Sequence, residues 1–227
     1  MLFAQGRTGS TLLGSLVESH PSASFGHEVL RGRVHSPRLY VESLRAAALP
    51  NAWGFHVKLY QLMDWQGVDD PAGWLRRMHD DGWLIVNLRR ENLLRHALSN
   101  FTLNAVKAQD AGARGRFLEG DGRERPRIRV DPEELLLAIR HRELAGQLDD
   151  LVLGDLARLT IFYERDLCEP ARRQGVLDEL FGGLGLPAHP VSTAMRKINA
   201  GSIGDIVDNY DEIASCIGNS AYARFLD

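Results

Sequence analysis

Cysteine is almost missing from this chain. Cys168 and Cys216 are the only two in 227 residues, too few for a disulfide framework and without metal-ligand spacing, so reduced thiols and no metal are expected. No apolar run approaches the ~20 residues needed to span a bilayer. The chain opens directly on an apolar strand, with nothing ahead of it to act as a secretion signal, and a cytoplasmic location is the expectation. Strong charge of one sign is absent too. A net charge of −3 argues against general nucleic-acid binding, so any anion site must be a local cluster of Arg and Lys. The last absence is a lysine in the first glycine-containing turn, Gln5-Gly6-Arg7-Thr8-Gly9-Ser10-Thr11. A Walker loop needs G-x-x-x-x-G-K-[ST], and a dinucleotide loop needs G-x-G-x-x-G. Neither spacing is met, which disfavours a mononucleotide kinase and a dehydrogenase.

What stands there instead is an apolar strand, Leu2-Phe3-Ala4, the glycine-broken turn, and a helical run with Leu12, Leu13, Leu16 and Val17. A strand running through such a turn into a helix N-terminus points backbone N–H groups at an anion. Ser10 and Thr11 add hydroxyls, and Arg7 adds a permanent charge with planar donors suited to phosphate or sulfate oxygens. The stretch reads as a phosphate-binding loop or as an ordinary strand–helix turn with a Ser/Thr cap.

Further along, Ala23 to Val29 reads as a second strand, residues 37–48 as a helix closed by Pro50, and Trp53 to Leu59 as a third strand carrying Lys58. A helix from Pro71 to Asp80 precedes the most apolar strand, Trp83 to Leu88, which runs into Arg89-Arg90 and a helix from about 91 to 107. Residues 110–130 are rich in Gly and Arg (Arg114, Arg116, Arg123, Arg125, Arg127, Arg129) and read as a mobile, solvated surface loop. Asp131-Pro132-Glu133-Glu134 opens another helix, to about 150. A strand follows at 159–163, a helix at 170–181 and a mainly helical tail over 188–227. Trp53, Trp65, Trp74 and Trp83 read as core. Strands alternating with helices predict an α/β fold, one parallel sheet flanked by helices, as a single domain over residues 1–227.

In open sheets of this kind ligands sit beyond the carboxyl ends of the strands. Those ends carry Arg7 to Thr11; His27 and Glu28; Lys58; Arg89 and Arg90, with Ser99 one helical stretch on; and Glu164 and Asp166, read as anchors of their turn. Arg89 and Arg95 flank the fourth end as site residues or as solvated helix charges.

This pattern resembles the sulfotransferases that use 3′-phosphoadenosine 5′-phosphosulfate (PAPS), especially the bacterial Stf0-like and carbohydrate-sulfotransferase branches. Their 5′-phosphosulfate loop, R-[ST]-G-[ST]-[ST]-x-L, is similar to Arg7-Thr8-Gly9-Ser10-Thr11-Leu12-Leu13. Their strand-ending Arg with a Ser eight or nine residues on is matched by Arg90 and Ser99. Phe162 to Leu167 and Phe181 to Pro187 resemble further family segments, as does the tail at 206–212. The chain departs from the aryl-sulfotransferase branch, which has a loop lysine at the place of Arg7 and a C-terminal R-K-G motif.

The resemblance implies a P-loop-like nucleotide-binding fold and transfer of a sulfuryl group to a hydroxyl of a small molecule, sugar or glycolipid, leaving 3′-phosphoadenosine 5′-phosphate and needing no metal. It places the donor on Arg7, Thr8, Gly9, Ser10 and Thr11, with the 3′-phosphate on Arg90 and Ser99. Arg196 and Lys197 close over the nucleotide in this reading. Glu28 is the implied general base and His27 the second choice, its side chain expected on the other face of the strand. Lys58 either touches the transferring group or acceptor, or is an ordinary strand-end lysine. A homodimer is compatible with the charged helices. A P-loop-type kinase and a non-catalytic nucleotide-binding domain of the same fold are the competing readings.

Overall fold

The computed structural model describes residues 1–48, 52–109, 127–195 and 201–226. They form two compact units, one of Met1–Glu91 with Gln147–Thr193, the other of Asn92–Gly146 with Ala194–Asp227.

The first unit is built on a four-stranded parallel sheet in the order β4-β1-β5-β6: β1 is Leu2–Ala4, β4 is His56–Val57, β5 is Val86–Arg89 and β6 is Leu159–Phe162. Strand alternation sorts its side chains into two layers. Leu2, Ala4, Val86, Leu88 and Ile161 face helices α1 (Ser10–Val17) and α6 (Pro170–Gly183), where Leu13, Leu16, Leu177, Leu180 and Phe181 are buried. Phe3, Val57 and Ile85 face α2 (Pro37–Ala47) and α3 (Pro71–Asp80), through Val41, Trp74, Leu75 and Met78. Both faces are covered, as a parallel sheet requires. The expected α/β class with helices flanking a parallel sheet is the architecture found.

Two strands differ from expectation. The second, β2, is Ala23–Phe25 and stops well short of Val29, because Gly26 follows and His27 takes a left-handed backbone (φ 52°) that no strand accepts. The expected strand over 53–59 splits at Phe55. Its first part, β3 (Ala52–Gly54), pairs in parallel with β2 as a separate two-stranded sheet. Its second part, β4, joins β1. The Phe55 carbonyl accepts from Leu2 N–H at 2.8 Å, and the His56 N–H donates to the His27 carbonyl at 2.7 Å. Lys58 therefore stands at the end of a main-sheet strand, while Glu28 follows a strand of the smaller sheet. A five-residue π-helical turn, Gln61–Trp65, comes next, and periodicity in the sequence announces no such turn.

The second unit contains α4 (Leu93–Gln109), the N-terminal part of α5 (Pro132–Leu153) and α7 (Tyr210–Gly218). α4 begins two residues later than expected because Asn92 caps it, its Oδ1 accepting from Arg95 N–H at 2.9 Å. Asp131 caps α5 through the N–H groups of Glu133 and Glu134. The loop expected over 110–130 lies outside the described residues up to 126, with Arg114, Arg116, Arg123 and Arg125. Its last residues are only partly as expected: Arg127 and Arg129 are exposed, though paired with Asp208 and Glu212, while Ile128, which bridges Val207, and Val130 are buried. The tail is helical only at 203–205, 210–218 and 223–225 among the described residues. No described helix is long and apolar enough to cross a membrane.

Candidate functional site

The first turn after β1 has the backbone of an anion cradle. Arg7 has φ 71° and Gly9 has φ 97°, with Thr8 between them at negative φ. Two positive-φ residues flanking Thr8 turn the chain sharply into the head of α1, and the open N–H groups of that helix's first turn are the donors it offers to an anion. Thr8 contributes backbone rather than side chain: it is buried and its hydroxyl donates to the Gln5 carbonyl at 2.8 Å. Ser10 and Thr11 are half-buried at the helix start. Glycine at position 9 is obligatory twice over, because a Cβ there would strike the Tyr163 ring and the φ is one that L side chains rarely adopt.

Arg90 braces this turn. Its guanidinium lies 4.8 Å from the centroid of the Tyr163 ring, its Nε donates to Glu164 at 2.9 Å and its Nη1 to the Arg7 carbonyl at 3.4 Å. Glu164 also accepts from the Glu91 N–H, and Asp166 accepts from Phe162 N–H at 2.7 Å. Both acids anchor the chain after β6, as expected. Arg89 is engaged with Asp150 at 2.6 Å. Ser99 is buried in α4, within the second unit. Arg196 and Lys197 lie outside the described residues.

Beside the loop, residues from three short segments converge. Lys58 Nζ lies 2.7 Å from Glu28 Oε2, and its Cε is 3.5 Å from where a Cβ on Gly6 would stand. Gln61 Nε2 donates to the same Glu28 oxygen at 2.9 Å, and Arg31 Nε at 3.3 Å. Burial by itself would push the Glu28 carboxyl up. The hydrogen bond and charge of Lys58, with His56 and Arg31, outweigh it and hold the group down at about 2.

The histidine nearest this carboxylate is His56, not His27. His56 Nδ1 stands 3.9 Å from Glu28 Oε1 and its Nε2 bonds the Ala4 carbonyl at 3.0 Å. A carbonyl only accepts, so the proton is assigned to Nε2. Burial lowers the His56 pKa to about 4, and the ring is neutral at pH 7. The His27 ring packs edge-on against Phe25 at 5.5 Å. The alternation argument used for His27 fails because the strand has already ended. Gln61 and His56 carried no recognisable signal in the sequence; only the break at Phe55 and the π-turn bring them to Glu28.

A second buried polar group lies beneath the loop. Asp149 of α5 is 8% exposed and bonded to the Gln5 side chain, and its carboxyl is pushed up to about 7 by burial against the opposing pull of Gln5 and Arg89. Between pH 4 and 7 the native state therefore holds a proton that the unfolded chain has released. Stability from this group is present in acid and declines as pH rises through that window. Asp149→Asn is expected to raise Tm at pH 8 by about 3–6 °C, at the usual ~2–4 °C per kcal/mol for a chain of this size, and to leave it unchanged at pH 4. Thermal melts at the two pH values check this; an equal gain at both would show that ionisation is not the cause.

Trp74 and Trp83 are core. Trp65, also expected in the core, is 38% exposed and meets the 43% exposed Tyr60 in a T-shaped contact at 5.3 Å. Among the described residues no group of His, Cys, Asp and Glu is arranged to hold a metal.

No family model matches the sequence, and no curated protein does. Among solved structures, the crystal structure of a sulfotransferase from Alicyclobacillus acidocaldarius is similar over 100% of this chain and 96% of that one, with 13% identity and a TM-score of 0.50. At that identity the likeness is one of fold: this chain has the parallel α/β architecture seen in a sulfotransferase.

Proposed function

We propose that the protein is a PAPS-dependent sulfotransferase acting on a hydroxyl of a small molecule, sugar or glycolipid. The observation that carries the reading is the convergence of three parts: the N–H cradle at residues 7–11, Lys58 beside Gly6, and Glu28 held 2.7 Å from Lys58. The donor supplies an activated sulfuryl group with a phosphate as its leaving group. The cradle and Arg7 stabilise the negative charge that gathers on that phosphate, from donors already in place. Lys58 adds a second cation, an ammonium where the loop itself has no lysine. An anion seated in the cradle competes with Glu28 for the Lys58 ammonium, and a carboxylate released from its ion pair is a stronger base. Glu28 then takes the proton from the attacking hydroxyl as the new O–S bond forms and the S–O bond to the phosphate breaks. The exposed faces of Tyr60 and Trp65, with the Tyr60 ring centroid 5.5 Å from Lys58 Nζ, suit an acceptor with an apolar face, such as a sugar ring.

Arg90 is assigned to the 3′-phosphate, with Ser99 added on the sequence motif. The test is calorimetric binding of 3′-phosphoadenosine 5′-phosphate and of AMP, together with transfer of labelled sulfate to an acceptor panel. Wild-type protein is expected to prefer the 3′-phosphorylated nucleotide. Arg90→Ala is expected to weaken that ligand by about 10–100-fold, the range of a charge-assisted hydrogen bond, on top of the smaller loss that AMP shares with it because Arg90 also braces the Arg7 carbonyl. Equal losses would remove Arg90 from the 3′-phosphate, and absence of both nucleotide binding and transfer would overturn the function.

A further inference from the structure

The two oxygens of Glu28 are not equivalent. Oε2 receives Lys58 Nζ at 2.7 Å, Gln61 Nε2 at 2.9 Å and Arg31 Nε at 3.3 Å. Oε1 has no donor within hydrogen-bond distance among the described residues. Its neighbour is His56 Nδ1 at 3.9 Å, a bare lone pair because the ring proton sits on Nε2 against Ala4. Of the three donors to Oε2, Lys58 ends a long flexible chain and Arg31 has a 72% exposed side chain. Gln61 alone is rigidly placed. It is completely buried, and it opens the π-turn. Its Oε1 accepts from the Lys58 N–H at 2.9 Å, and its own N–H donates to the Lys58 carbonyl at 3.0 Å. This pairing sets the amide's orientation, since a flipped amide would put its oxygen against the carboxylate. The i→i+5 bond of the turn, Gln66 N–H to Gln61 O at 2.9 Å, joins Gln61 to a second buried glutamine. Gln66 holds the carbonyls of Leu30 and Gly32 and the N–H of Val34. The segment that follows Glu28 is thereby pinned to the same turn.

We infer that Gln61 is a positioning residue of this site: it clamps Oε2 of Glu28 to the backbone of Lys58 and leaves Oε1 as the oxygen that takes the acceptor's proton. The inference deepens the sulfotransferase reading and rests on Glu28 being its base. A carboxylate oxygen locked by three donors has its lone pairs committed, whereas the open one can meet a hydroxyl at a fixed angle. Proton transfer depends on that placement. π-Helical turns are found disproportionately at functional sites, and this one spends its first residue on the carboxylate.

The test uses Gln61→Met, which removes both hydrogen bonds, and Gln61→Glu, which keeps the shape and replaces the donor by an acceptor. The charged and titratable groups facing Glu28 are Lys58, Arg31 and His56, with His27 beyond His56; all remain in both variants. Carbon-13 NMR of the Glu28 carboxyl, assigned with Glu28→Gln, follows its ionisation in the ligand-free protein. Wild type is expected to stay ionised down to about pH 3, Gln61→Met to titrate about 0.5–1 unit higher, and Gln61→Glu about 1–3 units higher, because two carboxylates then share Lys58. In turnover, Gln61→Met is expected to lose about 10–100-fold in kcat with the KM for the donor unchanged, and the acid limb of the pH profile should move with the NMR titration. Should Gln61→Met fail to fold, the isosteric Gln61→Glu carries both readouts. An unshifted titration, or an unshifted pH limb, in an enzyme that Glu28→Gln inactivates overturns this inference alone. Normal turnover by Glu28→Gln overturns it together with the assignment of the base.

Discussion

Glu28→Gln is expected to cut sulfuryl transfer by about 10²–10⁴-fold, the usual contribution of a positioned general base, while leaving nucleotide affinity nearly intact. Glutamine fills the same space and keeps acceptor capacity toward Lys58 and Arg31, so the framework around it, from Gln61 to His56, has no reason to move. It cannot take a proton. Nucleotide affinity should change little, since Glu28 touches Lys58 and not the loop, and the amide oxygen of the variant still accepts from the buried Lys58 ammonium. Any change should be toward tighter binding, because Lys58 no longer divides its charge between Glu28 and the bound anion. The measurement is single-turnover transfer alongside calorimetric titration with 3′-phosphoadenosine 5′-phosphate. Wild-type turnover in the variant would remove Glu28 from the chemistry, and loss of nucleotide binding would make it a structural residue of the cradle. The wild-type profile should show no acid limb from Glu28 in the free enzyme above about pH 3, because Lys58 keeps the carboxyl near 2 against its burial. Once the donor draws Lys58 away, the limb of kcat should lie at higher pH than the limb of kcat/KM.

Gly9→Ala is expected to disable the loop without touching any charge. The new Cβ meets two obstacles: a backbone at φ 97°, and the ring of Tyr163. The first costs about 1–3 kcal/mol and the forced contact about another 1–3 kcal/mol. The damage is not confined to the turn. Tyr163 carries Arg90 on its face, and Arg90 holds the Arg7 carbonyl, so a displaced ring pulls on both ends of the cradle. Chemical denaturation should show a loss of about 2–6 kcal/mol, and product-nucleotide binding should fall below detection in protein that is still folded. Gly185→Ala is the control, since that glycine has φ 70° with nothing within 4 Å of its Cβ position; it bears the backbone strain alone. If Gly9→Ala is no worse than Gly185→Ala in either measurement, the packing of Tyr163 does not constrain the loop.

Much of the frame was legible in the sequence because it depends on neighbours along the chain. The alternation of apolar strands with capped or proline-started helices determined the parallel α/β class. The glycine interval with its missing lysine determined that the first turn is neither a Walker nor a dinucleotide loop. Asp131 and Pro132 determined where α5 begins, since a cap is satisfied within its own first turn. Glu28, Lys58, Arg7 and Arg90 could each be picked out by standing near a strand end. What each of them touches could not. Glu28 meets Lys58 and Gln61 across some thirty residues because the chain changes sheets at Phe55 and then makes a π-turn. Neither event leaves a period in the hydrophobic pattern.

The exchange of His27 for His56 as the imidazole nearest the carboxylate has the same origin. Alternation assigns side chains to faces only while the strand continues, and a single left-handed residue at position 27 ended it. Arg90 shows the limit for charges: its sequence neighbours suggested an anion site, and its contacts with Glu164, Tyr163 and the Arg7 carbonyl came only from the packing of β5 beside β6. Local backbone preference and burial periodicity are short-range and survive in the sequence. The placement of a carboxylate oxygen to within a hydrogen bond is set by long-range packing, and only the folded chain determines it.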